Sequence, residues 1–312
     1  MRYAAMGGSP IVASPQDTAP VAMEPKQAHA QQATFGDERK LAPMAPTSSS
    51  PLVALYCEGE GAREHVHRLL RRHVDFLEAR TFHALIQLAG EASCTVLVIG
   101  RESPVDQVDY TALRRCHPLH PLVITSACDG HHAYRLVTSA GDEIVLLRDL
   151  DKELVPAVSR ACLSGVLQQM ASAIEVERRV PPTLRTALAL VYRTRPPIRS
   201  VKELAAQVGY EPRTLEHHWR RAVRPRGGLR LHDLLGWVLL LHAATARLST
   251  SNWMAVGAEL GVCSQTLARL GRTLADLSLR EIAALGNRRI LPLFRRRVLA
   301  ALPAPETLRV LT

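Results

Sequence analysis

Ala205, Gly209 and Leu215 recur 52 positions later as Gly257, Gly261 and Leu267. Each triplet reads as a helix-turn-helix: a small residue where two helices cross, a glycine for the left-handed backbone of the turn, and a leucine that plugs the second helix into the first. In the first copy Pro212 falls in the opening turn of the second helix, where its missing N–H would have had no intrahelical partner. That helix is therefore expected to begin at Glu211 or Pro212. One such triplet arises often by chance. Two in register, joined by an apolar helix expected from Leu231 to Leu248, are considerably more specific and point to an all-α tandem helix-turn-helix.

The charge is spread unevenly enough to matter. The chain carries a formal +10, but residues 178–312 hold a net +15 and the remainder −5. A basic C-terminal half beside a mildly acidic N-terminal half suggests that only the former meets a polyanion, with nucleic acid the first candidate and anionic membrane the second. Arg far outnumbers Lys, which suits bidentate contacts to phosphate and guanine, although a GC-rich genome would give the same bias. At 312 residues, 47% of them apolar, there is material for two domains.

Cys57, Cys94, Cys116, Cys128, Cys162 and Cys263 are far apart, form no CxxC pair and are expected as reduced, buried thiols. Met1 to Pro10 lacks an apolar core segment. The longest apolar run, Leu234 to Ala244, is interrupted by Gly236 and His242 and is too short to span a bilayer. A cytoplasmic protein with no membrane partner is expected.

Residues 1–50, rich in Ala, Pro, Ser and Gln, cannot bury enough apolar surface to offset the entropy of ordering and are expected to be a disordered tail. From 51 to 173 apolar runs alternate with amphipathic ones. PLVALYCEG, VDFLEA, CTVLVIG, HPLVITSACDG and DEIVLLRDL read as five strands, each followed by a helical pattern. Continuous apolar strands separated by helices argue for a parallel sheet covered on both faces, an α/β doubly wound, flavodoxin-like domain.

Order and lengths here resemble the receiver domain of two-component response regulators. The resemblance places the acidic pair near Glu58 and Glu60, the hydroxyl residue at Ser126, and Arg148 where the family has lysine, followed by Asp149 in place of proline. Counting back from Pro104 puts Gly100 at the phosphoacceptor position. Aspartyl-phosphate chemistry needs a carboxylate nucleophile and a Mg²⁺ held by neighbouring carboxylates, and glycine supplies neither. The resemblance therefore implies a pseudo-receiver that responds to a small molecule or a protein partner, or serves only for dimerisation.

The last helix of this domain continues from Lys152 to Val180, with Leu154, Val158, Cys162, Val166, Met170 and Ile174 recurring at three or four residues. Its stripe could cover the sheet, pair with a second subunit as a homodimer, or do both. Pro181 and Pro182 are expected to break it, which sets a linker at 174–182. A helix from Thr183 to Arg193 then leads into the two repeated units.

A tandem pair joined by a helix resembles the AraC-type DNA-binding domain, over residues 183–285, followed by a basic tail at 286–312. The resemblance implies that the joining helix lets both recognition helices enter successive major-groove segments of double-stranded DNA. Two features depart from the family. The second unit is one residue shorter between Gly261 and Leu267 than the family usually shows, and Gly271 stands where the family usually has an aromatic.

Helical geometry divides the first recognition helix. Leu215, His218, Trp219 and Val223 share the inward face; Arg213, Thr214, Glu216, His217, Arg220 and Arg221 face out. Arg213 is the candidate for a bidentate guanine contact, Glu216 can accept from cytosine N4, and His217 can reach a base edge or phosphate. Arg220 and Arg221 are candidate phosphate clamps. In the second unit Ser264, Gln265, Thr266, Ala268, Arg269 and Arg272 form the corresponding surface, with Gln265 suited to adenine and Arg269 to guanine or phosphate. Arg288, Arg289, Arg295, Arg296 and Arg297 could add nonspecific affinity, or their amphipathic segment could dock on the protein.

Neither metal nor enzyme chemistry has a motif behind it. His65, His67 and His73, and the pairs His131 with His132 and His217 with His218, lack any HExxH or finger spacing. There is no GxSxG, Walker or dinucleotide fingerprint, so neither a cofactor nor an enzymatic activity is expected. Two functions remain: a sequence-specific transcriptional regulator, or an interaction adaptor whose helix pairs bind a protein.

Overall fold

A computed structural model of the chain describes residues 51–99, 107–126, 141–223, 228–299 and 301–302. The five apolar runs form parallel strands β1 (Leu52–Cys57), β2 (Asp75–Ala79), β3 (Cys94–Ile99), β4 (Leu122–Ser126) and β5 (Glu143–Leu146). Their order is β2-β1-β3-β4-β5, the doubly wound order with its reversal between β1 and β3. Register follows the pattern of buried residues, with Val53 opposite Phe76 on β2 and Cys94 on β3. Alternate side chains divide between two cores. Val53, Leu55, Val96 and Val98 face one side, under α1 (Glu60–Leu70) and the first half of α4 (Leu150–Val176). Ala54, Leu97, Leu122 and Ile124 face the other, under α2 (Phe82–Ala89) and α3 (Gln107–Cys116). The sheet is thus covered on both faces, as continuous apolar strands require. Gly100, Pro104, Cys128, His131 and His132, and the helical pattern expected between β4 and β5, lie outside the described residues.

Polar groups close the edge of this layer. The fully buried Asp142 carboxylate pairs with Arg114 and accepts the Leu122 N–H at 3.0 Å, while Arg114 also donates to the His120 carbonyl at 2.6 Å. One ion pair thereby fixes α3, β4 and the entry to β5, and each buried charge has the partners it needs. The cysteines depart from expectation in part: Cys57, Cys94 and Cys162 are buried, but Cys116 and Cys263 are exposed. Distance along the chain also misleads, because the Cys94 and Cys162 thiols, on β3 and α4, lie 3.2 Å apart.

Helix α4 joins the two halves of the molecule. Leu154, Val158 and Cys162 belong to the sheet core, whereas Val166, Met170 and Ile174 are buried in a helical core. The second half of the stripe, considered for contact with a second subunit, is covered by helices of the same chain. Gly165 makes the closest approach, since a Cβ there would lie 1.9 Å from the Ser93 carbonyl oxygen. The helix stops at Val176, before either proline; Glu177 turns extended and Val180 tucks into the core. Pro182 instead opens α5 (Pro182–Arg193), where a missing N–H costs nothing. The stretch 174–182 is therefore packed along part of its length.

The remaining helices are α6 (Val201–Val208), α7 (Pro212–Val223), α8 (Leu231–Ala246), α9 (Trp253–Glu259), α10 (Ser264–Leu270), α11 (Leu279–Leu285) and α12 (Asn287–Phe294). A wider π turn, Gly271–Ala275, extends α10, and another, Arg295–Leu299, extends α12. Helix α8 is buried along nearly its whole length and forms the axis of the helical core; it ends at Ala246, two residues short of expectation. The segment read as a basic tail docks on the protein: Ile290, Leu291, Phe294, Val298 and Leu302 are all buried. Trp237 of α8 meets Phe294 with ring centroids 6.2 Å apart.

Candidate nucleic-acid interface

In the first repeated unit the local signals act as expected. Ser200 caps α6 by accepting the Glu203 N–H at 3.1 Å, a contact worth about 1 kcal/mol. Gly209 adopts φ 71°, ψ 32°, and the Tyr210 N–H then returns to the Ala205 carbonyl at 2.9 Å. Ala205 and Leu215 are buried at the crossing. On α7, Leu215, Trp219 and Val223 face the core, and the Trp219 indole N–H donates to the Leu229 carbonyl at 2.7 Å. His218 is half-buried against the Thr183 hydroxyl at 2.7 Å.

The opposite face of α7 presents the candidate readers together. Arg213, Glu216, His217, Arg220 and Arg221 are exposed and Thr214 is half-buried. Arg220 Nε donates to the Glu216 carbonyl at 3.3 Å, one turn earlier on the same helix.

The second unit is built tighter. Asn252 caps α9 through the Met254 N–H at 2.8 Å. Gly257 is required by contact, since a Cβ there would lie 2.5 Å from the Val262 carbonyl oxygen, and Gly261 is required by conformation at φ 66°. Leu267 is fully buried. Gln265, Arg269 and Arg272 are exposed, and Ser264, Thr266 and Ala268 half-buried. The two turns are equal in length, because α7 and α10 each begin three residues after the turn glycine. Gly271 has no space for the aromatic of the family pattern: a Cβ would lie 2.8 Å from both Ile282 Cδ1 and the Leu277 carbonyl oxygen. The π turn that starts there is closed by Asp276 at φ 57°.

Compared with protein-family models and with curated proteins, the chain matches none.

One residue of this region was not singled out in the sequence. Arg199 Nη1 donates to the Gly261 carbonyl at 2.9 Å, while its backbone N–H donates to Glu203 at 3.0 Å. It ties the entry of the first unit to the turn of the second. Nothing local signals this role, since the two residues are separated by 62 positions.

Elsewhere the candidate groups make local pairs. Glu60 pairs with Arg63 at 3.0 Å and Arg148 with Asp149 at 3.5 Å. Gly100 lies outside the described residues, as does the side chain of Ser126. His65 pairs with Asp151 and His67 with Glu78. Among the described residues no group of three or more His, Cys, Asp or Glu could hold a metal ion, and no helix is long and apolar enough to cross a membrane.

Proposed function

We propose that the chain is a sequence-specific DNA-binding transcriptional regulator of AraC-type organisation. The observation that carries this reading is the duplicated unit on α8, each copy with a left-handed glycine turn, a buried leucine plug and a second helix whose outer face bears arginines. Two such helices, joined through α8 and the Arg199 bridge, suit successive segments of double-stranded DNA, where outward Arg, Gln and Glu side chains meet base edges. Arg213, Gln265 and Arg269 read bases; Arg220 and Arg221 hold phosphates.

The α/β half acts as a phosphorylation-independent receiver-like domain for sensing or partner binding. Its β2-β1-β3-β4-β5 order is consistent with that reading, and glycine at position 100 leaves the acceptor site without a nucleophile. Selection of bound fragments from genomic DNA tests the first claim: enrichment of sites sharing a motif is expected, and fragments recovered without preference would favour the protein-adaptor reading. Incubation with acetyl phosphate tests the second. No labelling is expected, and stoichiometric labelling overturns it.

A further inference from the structure

A cavity of about 680 Å³ opens between the α/β half and helices α11 and α12. Its volume is in the usual range for small-molecule sites. Part of its wall is apolar, with Val74, Leu163, Leu248 and Leu291. The polar part carries one sign of charge: Arg72, Arg288 and Arg289 line it, and among the described residues no Asp or Glu does.

Several features concentrate positive potential there. Arg288 Nη1 donates to the Arg72 backbone carbonyl at 2.6 Å, so residues 216 positions apart are held side by side. The His73 imidazole is pushed down from its ordinary pKa by burial and then by Arg288 and Arg72. The start of α12, at Gly286 and Asn287, is also part of the wall and has no side-chain cap, which adds the positive end of the helix dipole. Three lining arginines beside an apolar wall, with no lining Asp or Glu among the described residues, fit a ligand that brings its own negative charge.

We propose that this cavity binds a small organic anion, its apolar body against Leu163 and Leu248 and its carboxylate, sulfonate or phosphate head held by Arg72, Arg288 and Arg289. The site rests on the cavity alone and stands apart from the DNA-binding reading. It joins elements from both halves: the turn after α1, α4, the end of α8, and α11 with α12.

The test is a fluorescence titration of the full chain with 1-anilinonaphthalene-8-sulfonate, compared with the uncharged N-phenyl-1-naphthylamine. Saturable binding of the sulfonate is expected. Arg72→Gln with Arg289→Gln should weaken it at least tenfold and weaken the uncharged probe less than threefold. Arg72→Lys with Arg289→Lys should retain sulfonate affinity within threefold. Arg80→Gln with Arg178→Gln, which removes the same charge from exposed positions outside both sites, should leave it unchanged. The proposal is overturned by absence of saturable binding, by unchanged affinity in the first pair, or by an equal loss in the Arg80 and Arg178 pair, which would mean that the probe reads only net charge.

Discussion

Arg213 and Arg220 share one exposed face of α7 but sit at different distances from its start. On the proposed DNA-binding reading, the first meets a base edge and the second the backbone. Arg213→Ala should therefore lower discrimination at one base pair by about 1–3 kcal/mol, whereas Arg220→Ala should weaken all sequences alike and reduce the salt slope by about one. Binding assays on a panel of single-base variants separate the two, and equal behaviour would refute the division into readers and clamps. Cys263 offers a chemical probe of the second unit. It precedes α10, and a hydrogen bond from the Thr266 hydroxyl lowers its pKa, followed by backbone N–H groups of the helix start. Iodoacetamide should modify Cys263 before Cys57, whose burial pushes its thiol up to about 12, and bound DNA should slow that modification. Mass spectrometry of the labelled peptides reads both effects. His242 on α8 is lowered to about 4 by burial and then by Arg195. In the unfolded chain it takes a proton near its ordinary value of 6.5, so the unfolded state binds more protons between pH 6.5 and about 4. Stability present above pH 6.5 is lost as the pH falls through that window. Thermal melts of His242→Gln should show a shallower acid decline than the parent chain.

At the scale of elements, glycine contacts give the sharpest stability prediction. Gly165 brings α4 against the backbone before β3, where a Cβ would lie 1.9 Å from the Ser93 carbonyl. Because the obstacle is backbone on both sides, Gly165→Ala should cost about 1–3 kcal/mol or more. Urea unfolding measures this, and an unchanged midpoint would show that α4 can move. The same elements show what was legible in the sequence. Strands β1, β3 and β4 could be read because burial on both faces demands uninterrupted apolar runs, and the turn glycines 209 and 261 because few other residues adopt their φ. The end of α4 could not. The Pro181–Pro182 pair looked like its terminator, but burial of Val180 ends the helix earlier and leaves the proline to start α5. The basic segment after 286 was equally ambiguous, since its arginines are visible as charge while its docking depends on α8. Gly271 stood out as a departure, but only packing against Ile282 and Leu277 explains it.

For the whole molecule, the features that sequence patterns miss are those made by distant partners. Arg199 with Gly261, Arg288 with Arg72, and Cys94 with Cys162 meet only after folding. All three join elements on which the functional proposals depend. Helix α4 contributes to both the sheet core and the helical core, so the α/β half and the paired units share buried surface. A ligand or partner that shifts one half has a packed route to the other, although coupling requires that α4 or its neighbours have two arrangements. The central claim is that the duplicated units read DNA sequence. Affinity for a selected genomic fragment and for a scrambled fragment of equal length, each at low and high salt, tests it most directly. Both affinities should fall as salt rises, because phosphate contacts release counterions, and the preference for the selected fragment should persist. Equal affinity for the two fragments at both salt concentrations, or no binding to either, would contradict it.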